Sequence, residues 1–208
     1  MNITIISDTH QKHNELKFIN QEGIIIHCGD FTSANKDKEA VKHGDFMQWY
    51  SNLNFQYKIL VLGNHEFEIS KNIVEFEKEC VELGIILLND SGVEIDGVKF
   101  YGTPWVFSFR KVGAYSVENI ILEEKFNLIP DDTNVLISHT PPYLILDKVY
   151  RGNVGSPELK KKIKDLHKLK YHFFGHIHES VGKLVTKNNV WNVNASMVLI
   201  KEPFVIEY

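Results

Sequence analysis

The sequence has 208 residues, of which 43% are hydrophobic and 24% are charged, and its formal net charge is −4. A chain of this size and composition can bury about 70% of its unfolded surface in one globular unit, so we expect a single domain over residues 1–208. The acidic balance argues against broad nucleic-acid binding, which needs a clustered basic surface.

The first part of the chain contains two apolar runs that end in polar side chains. Residues 3–7 lead into Asp8 and His10, and residues 24–28 lead through a glycine into Asp30. Both runs are continuously apolar, which is typical of strands buried on both faces. Helices are predicted over residues 15–20 and 37–52.

The middle of the chain is organised around the apolar run at residues 58–62. This run leads into Gly63-Asn64-His65-Glu66, which presents an amide, an imidazole and a carboxylate. A strand that stops at a glycine and then presents such groups is typical of a strand that carries a site. A helix is predicted over residues 73–83, and Trp105 lies in a loop. Further strands are predicted over residues 85–88, 93–95 and 98–101, with a turn at 96–97.

The last part of the chain repeats the same construction twice. Residues 134–138 lead into His139, and residues 171–174 lead into Gly175-His176-Ile177-His178. Two serines are predicted N-caps: Ser116 for a helix that reaches residue 126, and Ser156 for a helix that reaches residue 169. The remaining strands are predicted over residues 183–186 and 190–193, around a turn at 188–189, and over 198–208.

This order of elements predicts an α/β fold. Strands alternate with helices and later follow one another directly, which indicates two mixed β-sheets sandwiched between helices, an αββα arrangement. Ligands of α/β folds bind at the carboxyl ends of the strands. We therefore expect the polar ends of the five apolar runs to meet in one site.

The polar side chains at these ends have the chemistry of metal ligands. Asp8 and His10 can point towards one ion, the Asp30 carboxylate has two oxygens with which to bridge two ions, and an amide adds a neutral oxygen. The set has no thiolate, so we expect two divalent transition-metal ions, manganese or iron, or else zinc or nickel. The predicted metal ligands are Asp8, His10, Asp30, Asn64, His139, His176 and His178.

Two metals about 3.5–4 Å apart bind a bridging hydroxide and clamp a phosphoryl group for in-line attack. His65 adjoins Asn64 without being a predicted ligand, and it is the candidate acid for the leaving alkoxide. His65 and Asp30 are therefore the predicted catalytic residues. Trp105 is a candidate for stacking on a substrate base, although a loop aromatic is more often a packing residue. Glu66 is expected to orient a ligand by accepting hydrogen bonds.

These motifs together carry a family resemblance. In order, they resemble the five motifs of the calcineurin-like metallophosphoesterases: Asp8-x-His10, Gly29-Asp30, Gly63-Asn64-His65-Glu66, Ser138-His139 and Gly175-His176-x-His178. The resemblance covers the whole chain and implies the αββα fold. It also implies one metal on Asp8, His10, Asp30 and His178, and a second on Asp30, Asn64, His139 and His176, with His65 near the leaving group.

The chain looks most like the small single-domain subfamily that includes the brain-expressed metallophosphoesterase-domain proteins. The likeness rests on segments such as Tyr101-Gly102-Thr103-Pro104-Trp105 and His139-Thr140-Pro141-Pro142. Members of that group are phosphodiesterases, some of which act on cyclic nucleotides. Mammalian members have glycine in place of His176, so the resemblance implies fuller metal occupancy here. The Asp-Arg-Gly sequence of the protein serine/threonine phosphatases does not follow Asp30.

We therefore expect a phosphodiesterase that acts on a small phosphate ester, with a nucleotide as one candidate. A dianionic monoester needs cationic side chains beyond the metals, and the two arginines, Arg110 and Arg151, adjoin no motif. The alternatives are a phosphomonoesterase, a nuclease and a non-catalytic metal-binding scaffold. A nuclease is disfavoured by the acidic charge, and strong nucleic-acid binding is not expected. The chain is expected to be a monomer or a homodimer.

The expected location follows from cysteines and hydropathy. Cys28 and Cys80 have neither CxxC spacing nor the pattern of a disulfide framework. We expect no signal peptide, and the sequence has no apolar run long enough to cross a membrane. We expect a reduced, cytoplasmic setting and no membrane partner.

Overall fold

The computed structural model describes residues 1–33, 43–108, 113–186 and 189–208, which form strands and helices in alternation. The strands are β1 (Asn2–Ile6), β2 (Ile24–His27), β3 (Tyr57–Leu60), β4 (Ile86–Leu87), β5 (Ser91–Ile95), β6 (Val98–Thr103), β7 (Val106–Phe107), β8 (Ser116–Val117), β9 (Val135–Ser138), β10 (Lys148–Val149), β11 (Gly152–Asn153), β12 (Tyr171–Phe174), β13 (Gly182–Val185), β14 (Trp191–Asn194) and β15 (Phe204–Glu207). The helices are α1 (His43–Asn52), α2 (Phe67–Lys71), α3 (Ile73–Glu82), α4 (Asn119–Asn127) and α5 (Pro157–Asp165), with 3-10 turns at His13–Glu15 and His178–Ser180.

Most strands belong to two mixed sheets. The first has the order β15-β1-β2-β3-β4, and the second has the order β13-β14-β12-β9-β6-β5. In the first sheet β1 to β4 are parallel, whereas β15 is antiparallel to β1. In the second sheet β14, β12, β9 and β6 are parallel, with antiparallel β13 and β5 at the edges. Parallel pairing brings the carboxyl ends of neighbouring strands to one edge of their sheet.

The hydrophobic core has three layers, because successive strand residues face opposite sides of a sheet. Alternate residues of both sheets meet in the central layer, such as Ile24 and Ile59 of the first sheet and Val135 and Phe173 of the second. The intervening residues pack against helices: β2 and β3 against α1 and α3, and β9 against α4 and α5. This is the predicted αββα sandwich, and it is confirmed.

The helix predicted over residues 15–20 is wrong. The chain forms only the 3-10 turn at His13–Glu15 and then becomes extended at Leu16. Leu16 and Phe18 both pack into the α1 side of the first sheet, whereas Ile19 is 94% exposed. The amide of Lys17 donates to the Lys201 carbonyl. Apolar residues two apart suit this extended segment rather than a helix.

Two other helix boundaries differ from prediction, and a third falls outside the described residues. The part of the predicted helix at residues 37–42 lies outside the described residues, and α1 is described from His43. Ser116 is not a cap: it pairs with Val106 in the short β7–β8 ladder, and α4 begins at Asn119. Helix α5 has the predicted Ser156 cap but ends at Asp165 instead of residue 169. Leu166 and Leu169 fold back into the core beside α5, which ends the helix early.

Strand boundaries are closer to prediction. The Asp96-Gly97 turn between β5 and β6 is confirmed, and both residues have the positive φ of a tight hairpin. Strands β13 and β14 pair around Asn189, while Asn188 of the predicted turn lies outside the described residues. Strand β4 is shorter than the predicted 85–88. The predicted closing strands over 198–208 reduce to β15 alone, because Val198 and Leu199 point into solvent.

Helix length bears on membrane insertion. Helices α1 and α3 each have ten residues, and the others in the described ranges are shorter. A helix that crosses a bilayer needs about 20 apolar residues. Within the residues that the structure describes, no helix meets that requirement.

Candidate metal centre

Six predicted ligands converge in two groups at the carboxyl ends of the strands. Within each group, one ligand atom per residue lies within 4.8 Å of the others. The residues come from the turns after β1, β2, β9 and β12, so parallel pairing within both sheets assembles the groups. One group is Asp8, His10 and His178, and the other is Asp30, His139 and His176.

Several of the predicted metal ligands lie in turns with a strained backbone. Asp8, His10, Asp30 and His176 all have positive φ, between 43° and 67°. This left-handed backbone costs about 1–3 kcal/mol per residue outside glycine, and it clusters at functional sites. The turns hold one another: Asp8 N–H donates to the Gly29 carbonyl at 2.9 Å, and His176 N–H donates to the Asp8 carboxylate at 3.0 Å.

The first group is built around the Asp8 carboxylate, which is 1% exposed. His178 Nε2 lies 3.3 Å from Asp8 Oδ1 and 3.4 Å from His10 Nε2. His10 Nδ1 is 2.9 Å from the Thr32 carbonyl. Because a carbonyl only accepts, Nδ1 carries the proton in this contact and Nε2 is left to bind an ion.

The second group is built around the Asp30 carboxylate. His139 Nε2 lies 3.2 Å from Asp30 Oδ2 and 3.1 Å from Asn64 Oδ1, so the predicted amide ligand also reaches this group. His139 Nδ1 lies 2.8 Å from the Cys28 carbonyl, which again leaves Nε2 directed into the site. The rings of His139 and His176 are 4.9 Å apart.

Buried charge sets the pKa values of these donors. Burial raises the pKa of Asp30, but the neighbouring imidazoles, chiefly that of His139, together outweigh burial and hold that pKa below its ordinary value. Burial lowers the pKa of His139, but its interactions with Asp30, with the charge of Asp8 and with a backbone carbonyl together raise the pKa to about 9. Burial likewise raises the pKa of Asp8, and the hydrogen bond with His178 together with the charges of His178 and His139 lowers that pKa below its ordinary value. Burial lowers the pKa of His176 to about 4.

This donor set fits divalent transition metals. Among the described residues, the ion pairs of Asp8 and Asp30 are made with imidazoles, which lose their protons when they bind a metal. Two ionised carboxylates in a buried site need a cation to offset their charge. Imidazole nitrogens with carboxylate and amide oxygens suit manganese, iron, zinc and nickel.

His65 lies beside both groups. Its Nε2 is 3.7 Å from Asp30 Oδ2, and its ring is 4.8 Å from the His10 ring. Its backbone N–H donates to Asp30 Oδ1 at 2.8 Å. The side chain is 31% exposed, so it borders both the donors and the solvent.

The Glu66 carboxylate links the turn after β2 to the turn after β3 by hydrogen bonds. This buried carboxylate accepts from the backbone N–H groups of Asp30, Thr32 and Gly63 at 2.7–3.0 Å. The Thr32 hydroxyl also reaches it at 2.9 Å. The sequence analysis predicts an orienting glutamate at this position but misses Thr32. The only sequence signal for Thr32 is its position two residues after Asp30.

Asn194 is a second supporting residue that the sequence reasoning missed as part of the site. Its side-chain amide donates to the Ile177 carbonyl at 2.8 Å and to the Leu146 carbonyl at 3.2 Å. These bonds fix the loop that carries His176 and His178. A buried asparagine at the end of strand β14 is the signal that could have found it.

Trp105 is engaged by other side chains. Its indole N–H donates to Asp90 Oδ2 at 2.7 Å, and Lys125 Nζ lies 4.3 Å from its ring centroid. The Tyr115 ring packs edge-on against it. These contacts are those of a packing residue, and stacking on a substrate base stays a prediction.

Comparisons with known proteins identify the family of the chain. A profile of the calcineurin-like phosphoesterases matches residues 1–180. A UPF0046 protein of Caenorhabditis elegans is 32% identical over 94% of this chain, which spans 69% of that relative. Human metallophosphoesterase domain-containing protein 1 is 31% identical over 94% of this chain, which spans 65% of its length. The crystal structure of TT1561 of Thermus thermophilus matches this chain with a TM-score of 0.63 at 15% sequence identity. The match covers 93% of this chain and 88% of the TT1561 chain, and it shows a likeness of fold alone.

Proposed function

The chain belongs to the calcineurin-like phosphoesterase family, a family of binuclear metal hydrolases, and on this premise we propose that it hydrolyses phosphate diesters. The observation that carries the proposal is the pair of three-residue donor groups, with His65 beside both. Residues 1–208 act as one domain in this proposal. The pairing of the C-terminal strand β15 with the N-terminal strand β1 supports that unity.

In this proposal, the Asp30 carboxylate would contribute to the sites of two divalent cations. Asp8, His10, Asp30 and His178 would hold the first cation, and Asp30, Asn64, His139 and His176 would hold the second. When bound, the cations supply charge neutralisation for the phosphoryl group and activate water. Manganese or iron fits this donor set, and zinc or nickel is the alternative.

His65 is the residue that protonates the leaving alkoxide. The hydrogen bond from its backbone N–H to the Asp30 carboxylate fixes its position, and its partly exposed imidazole can contact a substrate oxygen. A proton held at Nε2 faces the donor groups, where the scissile ester would lie. General acid catalysis by a placed histidine typically contributes about 10²–10⁴-fold to a rate.

A diester suits the charges around the site better than a monoester does. The second negative charge of a monoester calls for cationic side chains beyond the metals. At both donor groups, the cationic partners found among the described residues are imidazoles. Arg151 lies in the exposed turn between β10 and β11, and Arg110 lies outside the described residues. A cyclic nucleotide is the diester that we propose to test after a chromogenic one.

The same reasoning extends to the setting of the enzyme. Cys28 and Cys80 are both free and buried, as expected of a chain that folds under reducing conditions. We place the enzyme in the cytoplasm on that basis.

A paired assay tests the diester preference. Metal-stripped protein is refilled with manganese and given bis-nitrophenyl phosphate or nitrophenyl phosphate. We expect metal-dependent turnover with the diester as the faster substrate. Faster turnover of the monoester would make the chain a phosphatase and direct attention to Arg151→Ala. An absence of turnover with both ions bound would favour a scaffold.

A further inference from the structure

Asn64 is held in place by a segment that lies outside every motif of the site. Its side-chain oxygen is 3.1 Å from His139 Nε2, and its backbone carbonyl accepts from the Ala114 N–H at 2.9 Å. Ala114 belongs to the 113–116 segment, which is far from Asn64 along the chain. The main chain of Asn64, the predicted amide ligand, is therefore fixed by a long-range contact.

Gly113 makes this contact possible. Its φ is +102°, a backbone conformation that side chains other than hydrogen rarely allow. A Cβ at this position would lie 2.9 Å from the Asn64 carbonyl oxygen and 3.2 Å from the Asn64 Cβ. Both neighbours are main chain or the first side-chain atom, so they cannot swing aside. Any larger residue would push the 113–116 segment and the Asn64 main chain apart.

The other end of the 113–116 segment is anchored by strand β7 and by the loop before it. Val106 N–H donates to the Tyr115 carbonyl at 3.0 Å, and β7 pairs with β8 at Ser116. The Tyr115 ring packs on Trp105, whose indole N–H is bonded to Asp90. The Ser116 hydroxyl donates to the Ala114 carbonyl at 3.2 Å and stiffens the turn.

We infer that the 113–116 segment is a positioning element for the second metal site. The Ala114 N–H holds the Asn64 main chain while the Asn64 side-chain oxygen lies next to His139 Nε2, so the amide oxygen keeps one location. The inference rests on the proposed function, because it takes Asn64 as a metal ligand. Its consequence is selective: disturbing the segment weakens the ion held with Asn64, and leaves the ion held by Asp8, His10 and His178.

Manganese binding to Gly113→Ala tests this inference directly. Calorimetric titration of metal-stripped protein follows both ions without relying on turnover. We expect one ion to bind about 10- to 100-fold more weakly, the usual cost of losing a supporting contact to a metal ligand. The second ion should keep its wild-type affinity.

Gly152→Ala is the matched control. Gly152 has a φ of +126°, but a Cβ there meets no heavy atom within 4 Å. The substitution adds backbone strain without a collision, and we expect both ions to bind as in the wild type. Wild-type affinities for both ions in Gly113→Ala would overturn the inference, and so would an equal loss of both ions.

Ser116→Ala covers the case in which Gly113→Ala does not fold. It removes the bond to the Ala114 carbonyl and leaves the backbone unchanged. We expect the same single ion to weaken severalfold, and unchanged binding would again overturn the inference. Wild-type protein that binds fewer than two ions would instead contradict the proposed function itself.

Discussion

At the scale of single residues, Asp30 is where the two proposed metal sites meet. One carboxylate oxygen faces His139 and His65, and the other accepts the His65 backbone N–H. The residue has a φ of +57°, and its own N–H is held by Glu66. Hydrogen bonds at the Asp30 N–H and at its carboxylate thus hold the strained backbone and the buried charge in place. This is the arrangement expected of a preorganised ligand.

His65→Ala tests the acid role. We expect both ions to bind normally, while turnover of diesters with poor alkyl leaving groups falls about 10²–10⁴-fold because the leaving oxygen lacks a proton donor. Diesters with good nitrophenyl leaving groups should lose much less. Turnover of both classes and metal content are compared with those of His167→Ala, an exposed control. Wild-type rates on alkyl diesters would remove His65 from the mechanism.

His172 predicts a pH dependence of stability. It is fully buried, and burial lowers its pKa from 6.5 to about 3, so it stays neutral where the unfolded chain binds a proton. The contribution of neutral His172 to stability is therefore complete above pH 6.5 and is lost as the pH drops towards 3, by up to about 1.4 kcal/mol per pH unit.

The variant His172→Gln isolates this effect. Urea unfolding of metal-free protein at pH 5.5 and 4.5 should show a smaller drop in unfolding free energy than in the wild type. The exposed His167→Gln is the control and should keep the wild-type dependence. An unchanged pH dependence in His172→Gln would mean that this histidine is protonated inside the fold.

At the scale of elements, caps show what sequence can and cannot predict. Ser156 and Ser116 look alike as caps in the sequence, yet only Ser156 accepts from a helix N–H, at 3.1 Å from Leu159. Proline at the next position distinguishes Ser156 locally. Ser116 instead pairs with Val106 in the β7–β8 ladder, a contact that no local sequence pattern predicts.

Ser156→Ala tests the cap energetically. We expect a loss of about 1 kcal/mol in unfolding free energy, because the Leu159 N–H at the start of α5 loses its acceptor. Ser51→Ala is the control, since its exposed hydroxyl donates within α1 to the Gln48 carbonyl and caps nothing. The control should cost less than about 0.5 kcal/mol. Equal losses in both variants would deny the cap its role.

At the scale of the whole molecule, the sandwich follows from strand chemistry. The continuously apolar runs predict strands covered on both faces, and β2 and β9 are indeed covered by a second sheet on one side and helices on the other. The donor positions were predictable because each one ends such a strand. The supports of the site were not, since Thr32, Ala114 and Asn194 act through contacts between distant segments.

Phe173→Ala tests the packing of the two sheets. The side chain is fully buried in the central layer, so its loss should cost about 3–5 kcal/mol of unfolding free energy. Val81→Ala on the outer face of α3, where the side chain is 78% exposed, should change stability by less than about 0.5 kcal/mol. Chemical denaturation compares the two. A cost below about 1 kcal/mol for Phe173→Ala would mean that the sheets are not closely packed there.

The most direct test of the whole account is manganese titration of metal-stripped protein with diester turnover recorded at each point. We predict two ions per chain and turnover that appears only as the second ion binds. Asp30→Asn, which keeps a residue tolerant of positive φ but removes the shared charge, should weaken both ions and abolish turnover. A single ion per chain, or full diester turnover in Asp30→Asn, would contradict the account.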